Sequence, residues 1–213
     1  MSRGSASAGR GRGTGTRGVR ITGGELKGRV VKVPASARPT EGRVREALFS
    51  MWAQEVPGSR LLDLYAGSGA VAVEAVSRGA LTVVAVEGDG RAFRELEANL
   101  RQLGLRGVVE IHRGKLPGCL GPWVEEGRSP FHFIFADPPY AQGAHEGGYE
   151  ALLRAAARLL APEGQMAIEH SARVELPREL EIRWLASQET RHLVRADVRS
   201  YGESGLSFYR WTL

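Results

Sequence analysis

Residues 60–79 constrain this chain more than any other stretch. Arg60–Tyr65 reads as a strand, Ala66-Gly67-Ser68-Gly69 as a tight turn, and Ala70–Arg78 as a helix stopped by Gly79. Glycine suits that stop because it enters the left-handed region without a Cβ penalty. Strand, glycine turn and helix in immediate succession open a doubly wound α/β sheet. In such sheets ligands sit beyond the carboxyl ends of the strands.

The glycines leave the ligand open, since Gly67-x-Gly69-x-x-Ala72 also satisfies the relaxed dinucleotide fingerprint. Asp63 narrows it. A carboxylate four residues before Gly67 repels a pyrophosphate but attracts an ammonium or sulfonium. S-adenosylmethionine carries both cations and no phosphate, and it is the expected cofactor. Glu87 closes a second predicted strand, Leu81–Glu87, about twenty residues past the turn, where such folds place an acid on the ribose hydroxyls. Its alternative is a solvated acid at a strand end, with Asp89 capping the next helix.

Asp137-Pro138-Pro139-Tyr140 follows the apolar run Phe131–Ala136, which reads as a buried strand. Two prolines remove amide donors and fix the backbone, leaving the Asp137 side chain and the Pro138 carbonyl as rigid acceptors beside an aromatic face. That set suits a planar base with an exocyclic amine: the acceptors take its N–H bonds while Tyr140 stacks. Asp137, Pro138, Pro139 and Tyr140 are the candidate catalytic residues.

The net charge of +5 over 213 residues is unevenly placed. Residues 1–45 carry 11 Lys/Arg against Glu25 and Glu41, a balance of +9, and the remainder carries −4. A basic arm attracts polyanions and makes binding salt-sensitive, so nucleic acid is the expected partner. Met1–Gly18 is rich in Gly, Ser and Arg and cannot bury a core, which predicts a disordered tail. Cys119 is the single cysteine, which fits a reducing, cytoplasmic setting. The five histidines lack metal-ligand spacing and the apolar runs are too short to span a membrane, so neither metal nor membrane is expected.

The rest of the chain fills in the same architecture. Val19–Thr22 and Arg29–Val33 suggest a hairpin, and Thr40 reads as the N-cap of a helix whose Val44, Ala47, Leu48, Met51 and Trp52 share one face. Arg38, Arg43 and Arg45 are left to face a ligand or phosphate. Further helices are predicted over 91–103 and 148–161, and strands over 108–112, 165–169, 181–187, 192–199 and 206–212. The last strands, joined by short turns, suggest an antiparallel hairpin at one sheet edge. The expected organisation is a tail over 1–18, a hairpin-and-helix extension over 19–57, and a catalytic domain over 58–213.

Taken in order, Arg20-Ile21-x-Gly23-Gly24, Gly28-Arg29, Arg38-Pro39-Thr40-x-x-Arg43-Val44-Arg45-Glu46-Ala47-Leu48-Phe49, Asp63-Leu64-x-Ala66-Gly67-Ser68-Gly69 and Asp137-Pro138-Pro139-Tyr140 resemble the bacterial RsmD-type methyltransferases. Those enzymes methylate a guanine N2 in small-subunit (16S) ribosomal RNA. The resemblance runs from about Arg20 to the C-terminus. It implies a Rossmann-like class I methyltransferase fold and an rRNA substrate, in a small ribosomal subunit or its assembly intermediate. It places the methionine end of the cofactor on Asp63 and on Ala66, Gly67, Ser68 and Gly69, and the ribose on Glu87. RNA would meet the hairpin and basic helix, through Arg20, Arg29, Arg38, Thr40, Arg43 and Arg45. Two positions depart from the family pattern. Gly42 stands where Asp is common, and Arg113-Gly114-Lys115 stands where Asp or Asn usually accepts from the adenine amine. Lysine cannot accept, so backbone at Gly114 and Lys115 is the expected substitute. Adenine-N6 methylation of RNA or DNA uses the same acceptors and is the alternative activity. A catalytically silent RNA-binding or ribosome-assembly protein is the alternative of another class.

Overall fold

A computed structural model describes residues 16–34, 40–140, 148–183 and 189–212. In chain order the elements are β1 (Thr16–Arg20), β2 (Val30–Pro34), α1 (Thr40–Met51), β3 (Arg60–Leu64), α2 (Ala70–Ser77), β4 (Thr82–Glu87), α3 (Gly90–Leu103), β5 (Val109–Arg113) and α4 (Gly121–Glu125). β6 (Phe131–Ala136), α5 (Gly148–Ala157), β7 (Leu160–Ser171), β8 (Glu179–Arg183), β9 (Thr190–Tyr201) and β10 (Ser204–Trp211) complete them. Among the described residues β3–β10 form one sheet of order β5-β4-β3-β6-β7-β10-β9-β8, and β1 pairs with β2 in a separate antiparallel hairpin.

The first five strands of that order are parallel. Their central members are buried on both faces, which is why β3, β4 and β6 are near-continuous apolar runs and not alternating ones. One face is covered by α1, α2, α3 and the hairpin. Ile21, Val31, Leu48, Phe49 and Trp52 share its core with Leu61, Val83 and Phe133. The other is covered largely by α5, whose Leu152, Leu153 and Ala156 meet Leu62, Val84 and Ile134. Trp52 is fully buried, with its ring centroid 4.6 Å from that of Phe133, and its Nε1 donates to Gln165 Oε1 at 3.2 Å. The N-terminal segment is therefore packed into the core of the sheet.

Several boundaries differ from the sequence reading. Thr16–Gly18, assigned to the tail by composition, already pair with Lys32–Pro34 in β1–β2; Met1–Gly15 lie outside the described residues. The helix predicted to run to Ala161 ends at Ala157, and Leu160 instead pairs with Phe131. Leu159-Leu160-Ala161 fits either periodicity, and the open edge of β6 decides in favour of strand. The β9–β10 hairpin is antiparallel as expected, but β10 sits inside the sheet between β7 and β9, and β8 forms the edge. The part of the predicted 181–187 strand beyond Arg183 falls outside the described residues.

Candidate active site

The carboxyl ends of β3, β6 and β7 open into a cavity of about 320 Å³. Asp63, Tyr65, Ala66, Gly67 and Ser68 line it from β3 and its turn, Asp137 from the end of β6, and Glu169 from β7. β3 and β6 are neighbours, and the Asp137 amide donates to the Leu64 carbonyl at 3.3 Å. The glycine turn and Asp137, the first residue of the Asp-Pro-Pro-Tyr segment, therefore share one cleft.

Asp63 is 1% exposed, and its Oδ2 accepts from the Ala72 amide at 3.1 Å in the first turn of α2. It caps that helix from a distance, because Gly69 at the N-cap offers no side chain. Burial pushes the Asp63 carboxyl up to about 8; the Ala72 amide opposes this and the Glu87 charge adds to it. A cation placed beside a buried acid raised in this way favours its ionised form. The methionine end of S-adenosylmethionine supplies one, so the residues present fit this cofactor. Two backbone features shape the turn. Tyr65 has φ 60°, in the left-handed region that costs a side-chain-bearing residue about 1–3 kcal/mol. Gly69 has φ +84°, which strains any side-chain-bearing residue, and a Cβ there would lie 2.4 Å from Leu96 Cδ1 and push that side chain aside.

Glu87 holds the same turn from β4. Its Oε2 accepts from the Gly67 amide at 2.8 Å and its Oε1 from the Asp89 amide at 2.7 Å. Asp89 caps α3 as predicted, accepting from the Arg91 and Ala92 amides. Gly114 and Lys115 follow the adjacent strand β5; the Gly114 amide donates to the Glu87 carbonyl, and the Lys115 side chain is exposed. Glu87, Gly114 and Lys115 thus lie together at neighbouring strand ends, beside the cavity rather than in its lining.

On the other side of Asp137, a buried polar chain was not visible in the sequence. Ser204 Oγ donates to Glu169 Oε1 at 2.8 Å, and so accepts from the Tyr140 hydroxyl 2.9 Å away. Glu169 is 2% exposed and Ser204 fully buried. Tyr149 packs nearby: burial raises its hydroxyl above the usual value, and the charges of Tyr140, Asp137 and Glu169 add to the effect. His170 Nδ1 faces the Ser171 carbonyl at 2.9 Å, which only accepts, so Nδ1 carries the proton and Nε2 accepts from Ser207 Oγ. Burial lowers the His170 pKa, consistent with that neutral tautomer.

The arginines predicted to meet RNA divide into distinct groups. Arg20, Arg29 and Arg43 are exposed, Arg20 bonding the Gly28 carbonyl at 3.1 Å. Arg38 lies outside the described residues, as does the Thr40 side chain, whose backbone is the first residue of α1 instead of its cap. Arg45 turns inward and lines the cavity. It is 5% exposed, donates to the Arg20 carbonyl at 2.8 Å, and pairs with Glu74 Oε2 at 3.5 Å. A basic run reads as a surface; here the tertiary position of a buried glutamate decides otherwise.

That glutamate is the centre of the hairpin's attachment. Glu74, with no exposed surface, accepts from the Thr22 amide and hydroxyl, the Gly23 amide and Arg78 Nε. Ser77 adds a bond to the Gly23 carbonyl and accepts from the Leu26 amide. Gly24, at φ +74°, passes so close to α2 that a Cβ would lie 1.6 Å from the Ser77 carbonyl oxygen. Asn99 on α3 makes the second joint. Its side chain bonds both the amide and carbonyl of Lys32 in β2 and the carbonyl of Ser68 in the glycine turn. Val19, Val33 and Pro34 consequently wall the same cavity as Asp63. Among the described residues no group of three His, Cys, Asp or Glu is placed to hold a metal ion, and no helix is long and apolar enough to cross a membrane.

A mainly parallel sheet of this order, with a glycine turn after β3, an acid closing β4 and an antiparallel β10, defines a Rossmann-like S-adenosylmethionine-dependent methyltransferase. A SAM-dependent methyltransferase from Agrobacterium tumefaciens shares the fold at 15% identity, with a TM-score of 0.64 over 94% of this chain and 71% of that one. Within the class, the chain belongs to the RsmD-type family: the family model described as "Conserved hypothetical protein 95" matches residues 19–210. Ribosomal RNA small subunit methyltransferase D of Escherichia coli K12 is 33% identical over 159 residues, 74% of each chain. The structure of a hypothetical protein from Thermus thermophilus matches with a TM-score of 0.73 at 33% identity, covering 90% of this chain and 99% of its own.

Proposed function

We propose that this protein transfers a methyl group from S-adenosylmethionine to the exocyclic N2 amine of a guanine in 16S ribosomal RNA, within a small subunit or its assembly intermediate. One observation carries the reading: Asp63, the Gly67 turn and Asp137 line a single cavity at the ends of adjacent strands. The relatives named for small-subunit rRNA methylation support the choice of substrate.

S-adenosylmethionine supplies the activated methyl group. Asp63 and the Ala66–Gly69 turn hold its methionine end, and Glu87 with the Gly114–Lys115 backbone its nucleoside. A guanine N2 is a poor nucleophile because its lone pair is delocalised into the ring. The Asp137 carboxylate and Pro138 carbonyl accept its two N–H bonds, which favours a pyramidal nitrogen with the lone pair exposed. Holding that nitrogen in line provides much of the rate, since alignment matters more than base strength. The base leaves its stack to reach the cavity, and Tyr140 offers a new face worth about 1–3 kcal/mol. The proton is lost late, so Asp137 need not be a strong base. Exposed Arg20, Arg29 and Arg43, with Arg38, meet the RNA backbone.

The test is transfer of labelled methyl to small subunits and to naked 16S rRNA lacking the modification, with the product nucleoside identified by mass spectrometry. N2-methylguanosine is expected, and N6-methyladenosine would overturn the reading. Asp137→Ala should reduce transfer at least 100-fold while cofactor affinity, measured by calorimetry, stays within about twofold. Near-normal transfer by that variant would remove Asp137 from the chemistry.

A further inference from the structure

We infer that Glu169 is the residue that makes the pocket choose guanine over adenine, by accepting the N1–H that lies beside the target amine. The inference rests on the guanine reading above and adds the group that enforces it. Acceptors that grip only an exocyclic amine cannot discriminate, because adenine N6 and guanine N2 present the same two protons. Their neighbours differ. Adenine N6 is flanked by N1 and N7, both acceptors, whereas guanine N2 is flanked by N3 and by the N1–H donor. A further acceptor next to the amine pocket therefore meets a donor only when the base is guanine. Against adenine it faces a lone pair in either orientation, an acceptor-to-acceptor mismatch that costs about 1–3 kcal/mol when buried.

Glu169 meets the requirements for that acceptor. It lines the cavity with Asp137, and the β6–β7 register, Ala136 opposite Ile168, sets the two carboxylates on adjacent strand ends. It is buried, and its charge, with those of Asp137 and Tyr140, acts on the same Tyr149 hydroxyl. Its orientation is fixed. Ser204 donates to Oε1 and accepts from Tyr140, so the group that stacks the base and the group that reads its edge share one hydrogen-bond chain. A carboxylate offers about four lone-pair sites, so the bond from Ser204 is compatible with a further one from the base.

That anchoring makes Glu169→Gln a sharp test. Ser204 keeps the amide oxygen in the Oε1 position, and the amide nitrogen then presents a donor where the carboxylate presented an acceptor. Wild-type protein and E169Q are compared on 16S rRNA lacking the modification, with labelled S-adenosylmethionine and nucleoside mass spectrometry. Melting and cofactor calorimetry are run alongside. E169Q should lose guanine transfer by at least tenfold, bind cofactor within about twofold of wild type, and raise the ratio of N6-methyladenosine to N2-methylguanosine at least tenfold. A substrate-side arm does not depend on the variant. An rRNA ligated with 2-aminopurine at the modified position keeps the N2 amine but lacks N1–H, and wild-type protein should methylate it at least tenfold more slowly than guanine. Equal rates on 2-aminopurine and guanine overturn the inference, whatever E169Q does. E169Q with unchanged rate and unchanged product ratio overturns it as well. If wild-type protein makes N6-methyladenosine, the guanine reading itself has failed, which the wild-type arm reports separately.

Discussion

Replacing Asp63 by Asn should stabilise the ligand-free protein while weakening its hold on the methyl donor. The native carboxyl titrates near 8 and the unfolded one near 3.8, so between those values the folded state carries a proton that the unfolded state lacks. Stability then falls as pH rises, by up to about 1.4 kcal/mol per unit. Between pH 6.5 and 7.5 the native group is mostly protonated, and the expected loss is about 1 kcal/mol. Burial lowers the His170 pKa, so its contribution has the opposite sign and fades as pH rises past the unfolded value of 6.5. Asp89 and Glu110 are held low, and Cys119, Tyr149 and Tyr209 are raised, so none of these changes charge there. Asn keeps an acceptor for the Ala72 amide and has no proton to acquire. D63N should therefore show a flat profile across the window and exceed wild type by as much as about 4 kcal/mol at pH 7, an advantage that grows with pH. Urea unfolding at pH 5.5, 6.5 and 7.5 measures the slopes. Cofactor binding moves the other way. Wild-type affinity should rise about tenfold per pH unit up to pH 8, with proton release seen by calorimetry in two buffers, and D63N should lose most of it. Parallel stability slopes for the two proteins, or a D63N less stable than wild type at pH 7.5, would refute the reasoning.

Three further substitutions test the joints around the cleft. Gly24→Ala forces a Cβ into the Ser77 carbonyl at positive φ and should cost at least about 2 kcal/mol in denaturant unfolding, with loss of protease protection in the hairpin. Glu74→Ala leaves the buried Arg45 and the partly buried Arg78 without their carboxylate, and should destabilise the fold by about 3–5 kcal/mol in the same assay. Asn99→Leu removes partners of the Lys32 amide and carbonyl and of the Ser68 carbonyl; calorimetry should show at least about tenfold weaker cofactor binding as the glycine turn loosens.

What the sequence made legible is what the chain keeps close together. Asp63 and Gly67 lie within one strand and its turn, Asp137–Tyr140 are contiguous, and the apolar runs of β3, β4 and β6 announce a sheet buried on both faces. The missed residues act across long separations: Glu74 on Thr22, Asn99 on Lys32, and Ser204 on both Tyr140 and Glu169. A signal for Glu74 did exist. It is the one charge in the apolar helix Ala70–Ser77, and an isolated acid on a helix that must pack on both sides implies a buried partner. Arg45 escaped because it sits among other basic residues, and no local pattern says which of them turns inward. The insertion of β10 was unreadable for a related reason: a hairpin specifies that β9 and β10 pair, not which of the two meets β7.

That insertion also sets an order of events during synthesis. Until residues 204–211 have left the ribosome, β7 and β9 have no strand between them, and two long rows of backbone donors and acceptors wait for the same late segment. Ser204 arrives with that segment, so Tyr140 and Glu169 stay unlinked through it in every shorter nascent chain. A product arrested upstream therefore lacks the Ser204 link between Tyr140 and Glu169 and displays unpaired strand edges on β7 and β9.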